Sequence, residues 1–330
     1  MDPLAVAERK ARSMGEIWIS RLNYVLGEDE HDLRECQDHL VSPVDELIKA
    51  GFAKHHVCSG EQTSLDLAQA VVKQATAERP VDPELLVYAT ALPLNAAVPR
   101  GDSFDQTGDV KHLMDFPGSH IQADAGWTKA SVFGLGQQAC TTVMGSWRLA
   151  GALLGAEPDW SEAVCINADR FPQGASYEQS YNPISDAATF TRVSRSPDEG
   201  AYKVRAIHQI TNGALSLAND TETAGSFFPW MHQAVQQTLA KAKVSKVDWI
   251  VPQNTHSAAW TVLTRLLQMT DTPVHEPTRE TVAHMISGDN IANLIDLDAQ
   301  GLIKEGDTVL MTAAGYGANW QCAVLEVGPR

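Results

Sequence analysis

Cys140 follows Gly134-Leu135-Gly136-Gln137-Gln138-Ala139 and opens the run Thr141-Thr142-Val143-Met144-Gly145-Ser146-Trp147. Apolar residues at Val143, Trp147, Ala150 and Leu154 recur at intervals of three and four, so the run reads as a helix whose first turn carries the cysteine. A thiol there meets backbone N–H groups and the positive end of the helix dipole, both of which favour a thiolate nucleophile. The alternative is a small buried hydrophobe. Such a nucleophile needs a base, and His256 ends the polar cluster Gln253-Asn254-Thr255-His256 between a strand and a helix. That junction lies at the C-terminal edge of a sheet, where open α/β folds gather reactive groups, and it makes His256 the first base candidate among eleven histidines. His284, a few residues before Asp289, is the second. Asp289 begins another helix; its carboxylate either caps that helix, or fixes the His256 tautomer and stabilises the imidazolium, or does both. The turn Gly315-Tyr316-Gly317 brings backbone N–H groups close enough to polarise a reacting carbonyl, or else is an ordinary hairpin turn.

The elements that must position these residues alternate along the chain. Ile17–Ile19, Leu85–Thr90, Ala163–Ile166, Trp249–Val251 and Thr308–Met311 read as buried strands. Ser64–Ala77, Thr141–Leu154, Phe228–Ala242, Ser257–Met269 and Ile291–Gln300 have helical periodicity, with polar starts at Ser64-Leu65-Asp66 and Asp289-Asn290. This alternation predicts an α/β fold with helices covering a mostly parallel sheet. Each half carries a strand followed by an excursion to a reactive helix start, a weak internal duplication without fixed period.

Composition bounds the class. The chain has 330 residues, 44% of them hydrophobic, enough for a large core in one α/β unit or two packed halves. No apolar run is long enough for a bilayer, and the opening MDPLAVAERKARSMGE lacks the apolar stretch of a secretion signal, so a soluble cytoplasmic protein is expected. Cysteines 36, 58, 140, 165 and 322 are widely and irregularly spaced, giving neither a disulfide framework nor a C-x-x-C metal clamp. A net charge of −16 argues against nucleic acid, and the scattered Lys10, Arg12 and Arg21 read as solvated surface.

QQACTTVMGSWRLAGALL around Cys140, VDWIVPQNTH, SGDNIANLIDL and the closing GLIKEGDTVLMTAAGYGANWQCAVLEV together resemble the thiolase superfamily, in its ketoacyl-acyl-carrier-protein synthase III branch. The closing segment is the most specific of these, and the N-terminal 60 residues match poorly. The resemblance implies a five-layered αβαβα fold of two similar halves, an N-terminal half over 1–200 with the nucleophile and a C-terminal half over 201–330 with the histidine and aspartate. It further implies a homodimer, no metal or bound cofactor, and acyl-CoA or an acyl-carrier protein as thioester donor. Cys140 would take the acyl group, and the Cys140 N–H with the Gly315-Tyr316-Gly317 turn would form the oxyanion hole.

Departures from the pattern shape the expected reaction. Chain-elongating members carry histidine and asparagine where this sequence has Gln253 and Asp289; a one-residue shift would instead offer the amide of Asn290. A carboxylate beside a developing enolate sets negative charge against negative charge and disfavours decarboxylative condensation. The expectation is therefore acyl transfer from Cys140 to a hydroxyl, amine or thiol acceptor, with His256 and Asp289 deprotonating it, as in polyketide-type specialised metabolism. The alternatives are carbon–carbon condensation and a non-catalytic thiolase-fold partner subunit. The segment Gly51–Gln62 lacks the Trp and Arg that grip CoA adenine in relatives, so CoA and carrier protein both stay open as donors.

Overall fold

A computed structural model describes residues 15–92, 106–172 and 174–330. The opening segment with Lys10 and Arg12 lies outside the described residues. Nine main strands are β1 (Trp18–Leu26), β2 (Leu85–Ala89), β3 (Ser131–Leu135), β4 (Glu162–Asp169), β5 (Ala187–Ser194), β6 (Tyr202–Thr211), β7 (Trp249–Pro252), β8 (Thr308–Gly315) and β9 (Asn319–Val327). The main helices are α1 (Ser64–Thr76), α2 (Pro117–Asp124), α3 (Thr142–Ala156), α4 (Asp220–Ala242), α5 (Ser257–Leu266) and α6 (Asp289–Ala299).

The strands follow the order β7-β8-β9-β6-β1-β5-β4-β2-β3. The β1–β6 seam is joined at only two residue pairs, Trp18 with Lys203 and Ile19 with Tyr202, so the ladder divides there into two sheets. Both repeat one scheme. In the first, β1, β5 and β4 are antiparallel neighbours and β4 runs parallel to β2; in the second, β6, β9 and β8 are antiparallel and β8 runs parallel to β7. Helices fall at matching places in the chain, α1 with α4, α2 with α5 and α3 with α6, so the duplication only faintly visible in sequence is explicit in topology.

Three apolar clusters fix the layers. Leu67, Val71 and Ile121 of α1 and α2 pack on one face of the first sheet, and Met231, Leu239 and Leu263 of α4 and α5 on one face of the second. Val143, Trp147 and Leu154 of α3 join Ile291, Leu294 and Leu297 of α6 in the cluster between the sheets. The architecture is the five-layered αβαβα expected, but the sheets are not mostly parallel as the alternation predicted, because β4–β5 and β8–β9 follow one another directly as antiparallel neighbours and only β2–β3, β2–β4 and β7–β8 pair in parallel. Because α3 is covered on both sides, it is apolar nearly all round rather than amphipathic, and Val143, Met144, Trp147 and Ala150 are all buried. Strand β2 is buried along its whole length, which its continuous LLVYA run reflects.

Several boundaries differ from the expected ones for identifiable reasons. Thr63, one residue before the expected polar start, caps α1 through a capping box with Asp66. Helix α4 begins at Asp220, capped by Asn219 and Glu222, and carries Pro229 inside it, where a sequence reading stops a helix. Asp289 does not cap α6: Gly288 is the cap residue, without a side-chain bond. Among the described residues no helix is long and apolar enough to cross a membrane.

Candidate active site

Cys140 stands at the start of α3, in a 3-10 turn (Ala139–Thr141) that runs into the helix. Gln137 and Ala139 before it have positive φ, 64° and 43°, so the chain bends sharply and lifts the thiol to the sheet edge. Gly315, at the end of β8, lies directly against this bend. A Cβ there would sit 2.7 Å from the Cys140 nitrogen and 2.9 Å from the Gln138 carbonyl oxygen, so only glycine lets the two backbones approach. Tyr316, Gly317 and Ala318 close the β8–β9 hairpin, Gly317 with φ of 76°. The Cys140 N–H and this turn thus stand side by side, as an oxyanion site requires.

The histidine against the sulfur is His284. Its Nε2 lies 3.3 Å from Cys140 Sγ and its Nδ1 lies 2.5 Å from Asp289 Oδ2. Asp289 also accepts the Met285 N–H at 2.6 Å and the Asn254 N–H at 2.8 Å, so a fully buried carboxylate has a partner on each side. Burial by itself pushes the His284 pKa down; the Asp289 carboxylate and then Cys140, by charge and hydrogen bond, outweigh it and hold it well above its ordinary value.

His256, the first base candidate, is elsewhere. It is the N-cap of α5, exposed, with Nδ1 accepting the Ala258 N–H at 3.1 Å, and Asp289 bonds His284 rather than His256. The helix start that made His256 conspicuous claims its ring for the backbone. Asn290 is likewise committed, its amide donating to the Val251 and Thr312 carbonyls at 2.8 and 3.1 Å and pinning α6 to β7 and β8. Asn254 turns inward to Thr278 and the Ala283 carbonyl. Gln253 accepts the Ala314 N–H, bracing the strand that leads to Gly315.

His284 reaches the thiol because its own backbone is tied down. Ala283 before it has φ of 57° and ψ of −149°, a conformation alanine rarely adopts. The His284 N–H donates to the Pro183 carbonyl and its carbonyl accepts the Ser185 N–H, both at 2.9 Å. The N-terminal part of the chain supports that strip: His55 Nδ1 bonds the Ile184 carbonyl at 3.0 Å, and Asp186 donates its N–H to the His56 carbonyl. A sequence pattern could not place this contact, since its only local trace is a histidine five residues before the aspartate.

Cys140 and His284 open into a cavity of about 270 Å³ whose lining includes the apolar Phe227, Phe228 and Trp320 and the polar Gln253, Thr255 and His256. Tyr316 also lines the cavity, donating to Asp220 at 2.7 Å and bonding Ser180 at 2.8 Å. Asp289 is absent from these walls, because it sits behind His284. The repulsion of an enolate by Asp289, expected from sequence, is therefore shielded by the imidazole. Among the described residues no cluster of three or more His, Cys, Asp or Glu could hold a metal.

Residues 238–327 match the sequence family described as 3-oxoacyl-[acyl-carrier-protein (ACP)] synthase III C terminal. No curated protein matches the chain. Among solved structures the chain is similar to ChlB3, described as an acyltransferase, at 18% identity and TM-score 0.76 over 95% of this chain and 98% of that one. It is similar to 3-oxoacyl-(acyl carrier protein) synthase III from Pseudomonas aeruginosa at 17% identity and TM-score 0.77, over 96% and 99% of the two chains. The priming β-ketosynthase of the R1128 polyketide biosynthetic pathway matches at 14% identity and TM-score 0.73, over 93% and 95%. At these identities the structural likeness speaks for the fold, and the sequence match speaks for the C-terminal region. The chain therefore has the fold of the solved synthase III-like structures, and its residues 238–327 carry the sequence of the C-terminal region of 3-oxoacyl-[acyl-carrier-protein] synthase III.

Proposed function

We propose that this protein is an acyltransferase that loads an acyl group from a CoA or carrier-protein thioester onto Cys140 and passes it to a hydroxyl, amine or thiol acceptor. The observation that carries this reading is the unbroken contact chain from Cys140 Sγ through the His284 ring to Asp289. His284, held protonated between Asp289 and Cys140, keeps the proton given up by the thiol while sulfur attacks the thioester carbonyl, and passes it to the departing thiol. The acceptor's proton then goes to the now neutral Nε2 as its oxygen, nitrogen or sulfur attacks the acyl-cysteine, and collapse expels the Cys140 sulfur and restores the starting pair. In both tetrahedral intermediates the oxyanion lies by the Cys140 N–H and the Gly315–Gly317 turn. Asp289 holds the ring so that Nε2 faces sulfur and stabilises the imidazolium. These steps are carried by the chain's own side chains and the thioester's reactivity. The likeness to ChlB3, described as an acyltransferase, supports acyl transfer, and the likeness to a polyketide priming enzyme supports a place in specialised metabolism of polyketide type.

Intact-mass measurement after incubation with a panel of acyl-CoAs and acyl-carrier proteins tests the loading step. A single acyl adduct is expected on wild type and none on Cys140→Ala. His284→Ala should slow loading by roughly two to four orders of magnitude, the usual worth of a positioned base, and His256→Ala by much less. No adduct on wild type, or the reverse ranking of the two histidines, overturns the reading. Release of carbon dioxide from a malonyl donor coupled to ketone formation would move the assignment to condensation.

A further inference from the structure

The oxyanion site is shared between two segments that no backbone hydrogen bond joins: among the described residues none runs between 136–141 and 313–318. Both segments enter the left-handed region, at Gln137 (φ 64°) and Ala139 (φ 43°) before the nucleophile and at Gly317 (φ 76°) and Ala318 (φ 56°) in the turn. Non-glycine residues relax out of that region unless neighbours hold them. Close packing at Gly315 limits how near the two backbones come and leaves them free to part. The side chain that crosses between them is Asn319, the first residue of β9 and only 2% exposed. Its Nδ2 donates to the Gln137 carbonyl at 3.3 Å and to the Tyr316 carbonyl at 3.4 Å. What the amide oxygen accepts fixes this orientation. Asn319 Oδ1 takes the Thr211 hydroxyl at 2.6 Å and the Gln209 NH2 at 3.1 Å, both from β6. Turning the amide over would set NH2 against NH2 at Gln209 and oxygen against two carbonyl oxygens. Gln209 Oε1 in turn accepts from Gln138 Nε2 at 3.4 Å, a second tie from β6 to the bend, and Gly145 of α3 makes room for that side chain, since a Cβ there would overlap Gln138 Oε1.

We propose that Asn319 is a positioning residue for the oxyanion site: its amide clamps the bend before Cys140 to the Gly315–Gly317 turn and so fixes the spacing between the Cys140 N–H and that turn. The clamp rests on the acyl-transfer reading above and adds to it the group that holds the oxyanion site together. Asn319 is not among the residues that line the cavity, so it acts through the backbones it joins. Each of its two bonds to them is long, and their effect comes from burial, because drift of either segment would leave a buried N–H without a partner. Donors to an oxyanion work by placement, and a shift of about 1 Å costs up to about a hundredfold in rate.

The test compares two reactions of Cys140 in the full-length protein, each followed by peptide mass at that residue. With p-nitrophenyl acetate a bond forms from Sγ to the carbonyl carbon, an oxyanion develops and nitrophenolate leaves, and no CoA or carrier has to be recognised. Iodoacetamide alkylates the same sulfur by displacement of iodide, with no oxyanion. Asn319→Ala leaves both carbonyls unpaired, and Asn319→Asp keeps the accepting oxygen but sets a second oxygen against them. Both should slow acetylation roughly ten- to a hundredfold while alkylation stays within about twofold of wild type, a split that a general loss of structure would not give. Thr211→Val, at an exposed residue, frees the Asn319 amide and should show the same split at smaller size, and it stands in for an Asn319 variant that does not fold. Equal loss of both reactions, no loss of acetylation in any variant, or a wild-type Cys140 that is alkylated but takes no acetyl group overturns the clamp. Failure of CoA and carrier thioesters to load wild type while the ester still does would count against the acyltransferase reading alone.

Discussion

A buried imidazole bonded to a thiol on one side and a carboxylate on the other makes the charge state of His284 part of the stability of the protein. Its folded pKa lies above the ordinary histidine value, so between that value and the folded one the native state holds a proton the unfolded chain has lost. Stabilisation from the His284–Asp289 pair is therefore complete below about pH 6.5, the unperturbed histidine value, and is lost as pH rises through the folded pKa. Urea unfolding of wild type and His284→Gln should show a larger difference at pH 6 than at pH 9, by about 1.4 kcal/mol for each unit by which folding raises the pKa. A difference that grows with pH would mean the ring is held neutral. Neighbouring residues with suggestive chemistry serve the frame instead: Asn290 ties strand ends together, and Asn254 joins Asp289 to Thr278.

Each reactive side chain is delivered by a helix start or by a backbone bend. Helices α3 and α6 occupy equivalent places in the two halves and meet in the central layer, which sets Cys140 and Asp289 near each other. The bend at Ala283 turns His284 into the space between them. A non-glycine residue in that conformation costs about 1–3 kcal/mol, sustained here by the bonds from His284 to residues 183 and 185. Ala283→Gly should leave thermal stability equal or higher, with relieved strain offsetting the lost methyl burial. Ala283→Val should lose more than about 2 kcal/mol in denaturant unfolding and slow acylation, because a branched side chain resists this backbone. If valine is tolerated at both readouts, the bend does not position His284. The helix over α3 was legible in the sequence from its spacing, and the strands β2, β4, β7 and β8 from their apolar runs. Strands β5 and β6 were not, since AATFTRVS buries its threonines on a strand covered on both faces, and YKVRAIHQIT mixes polar and apolar residues along a strand that is only partly covered.

On the scale of the molecule, the first sheet ends on β3, whose outer edge has no neighbouring strand among the described residues and where Val132 and Phe133 are 37% and 40% exposed. An exposed apolar edge beside Phe116 is a surface for pairing, and the homodimer expected from the family resemblance would use it through a second copy of β3. Sedimentation equilibrium should give twice the 35.8 kDa chain mass, and Phe133→Lys should shift it towards one chain. A wild-type monomer at micromolar concentration would remove this interface. The net charge of −16 is spread over a surface whose cavity walls carry no described Lys or Arg, which suits a neutral acceptor inside the pocket.

The sequence by itself determined what depends on neighbours along the chain: the cysteine at a helix start, the aspartate at another, the glycine turn between the last strands and the alternation of an α/β fold, while the five-layered architecture was implied only by the family resemblance of its motifs. Periodicity and turn chemistry act over a few residues, so they survive in a one-dimensional reading. Tertiary structure decided which histidine meets the sulfur. His284 is 144 positions from Cys140, and it wins over His256 because Asp289, the tethers to residues 183 and 185 and the Ala283 bend aim it, while the backbone of α5 holds the ring of His256. Convergence of that kind comes from packing two duplicated halves face to face, an interaction with no signature in local spacing.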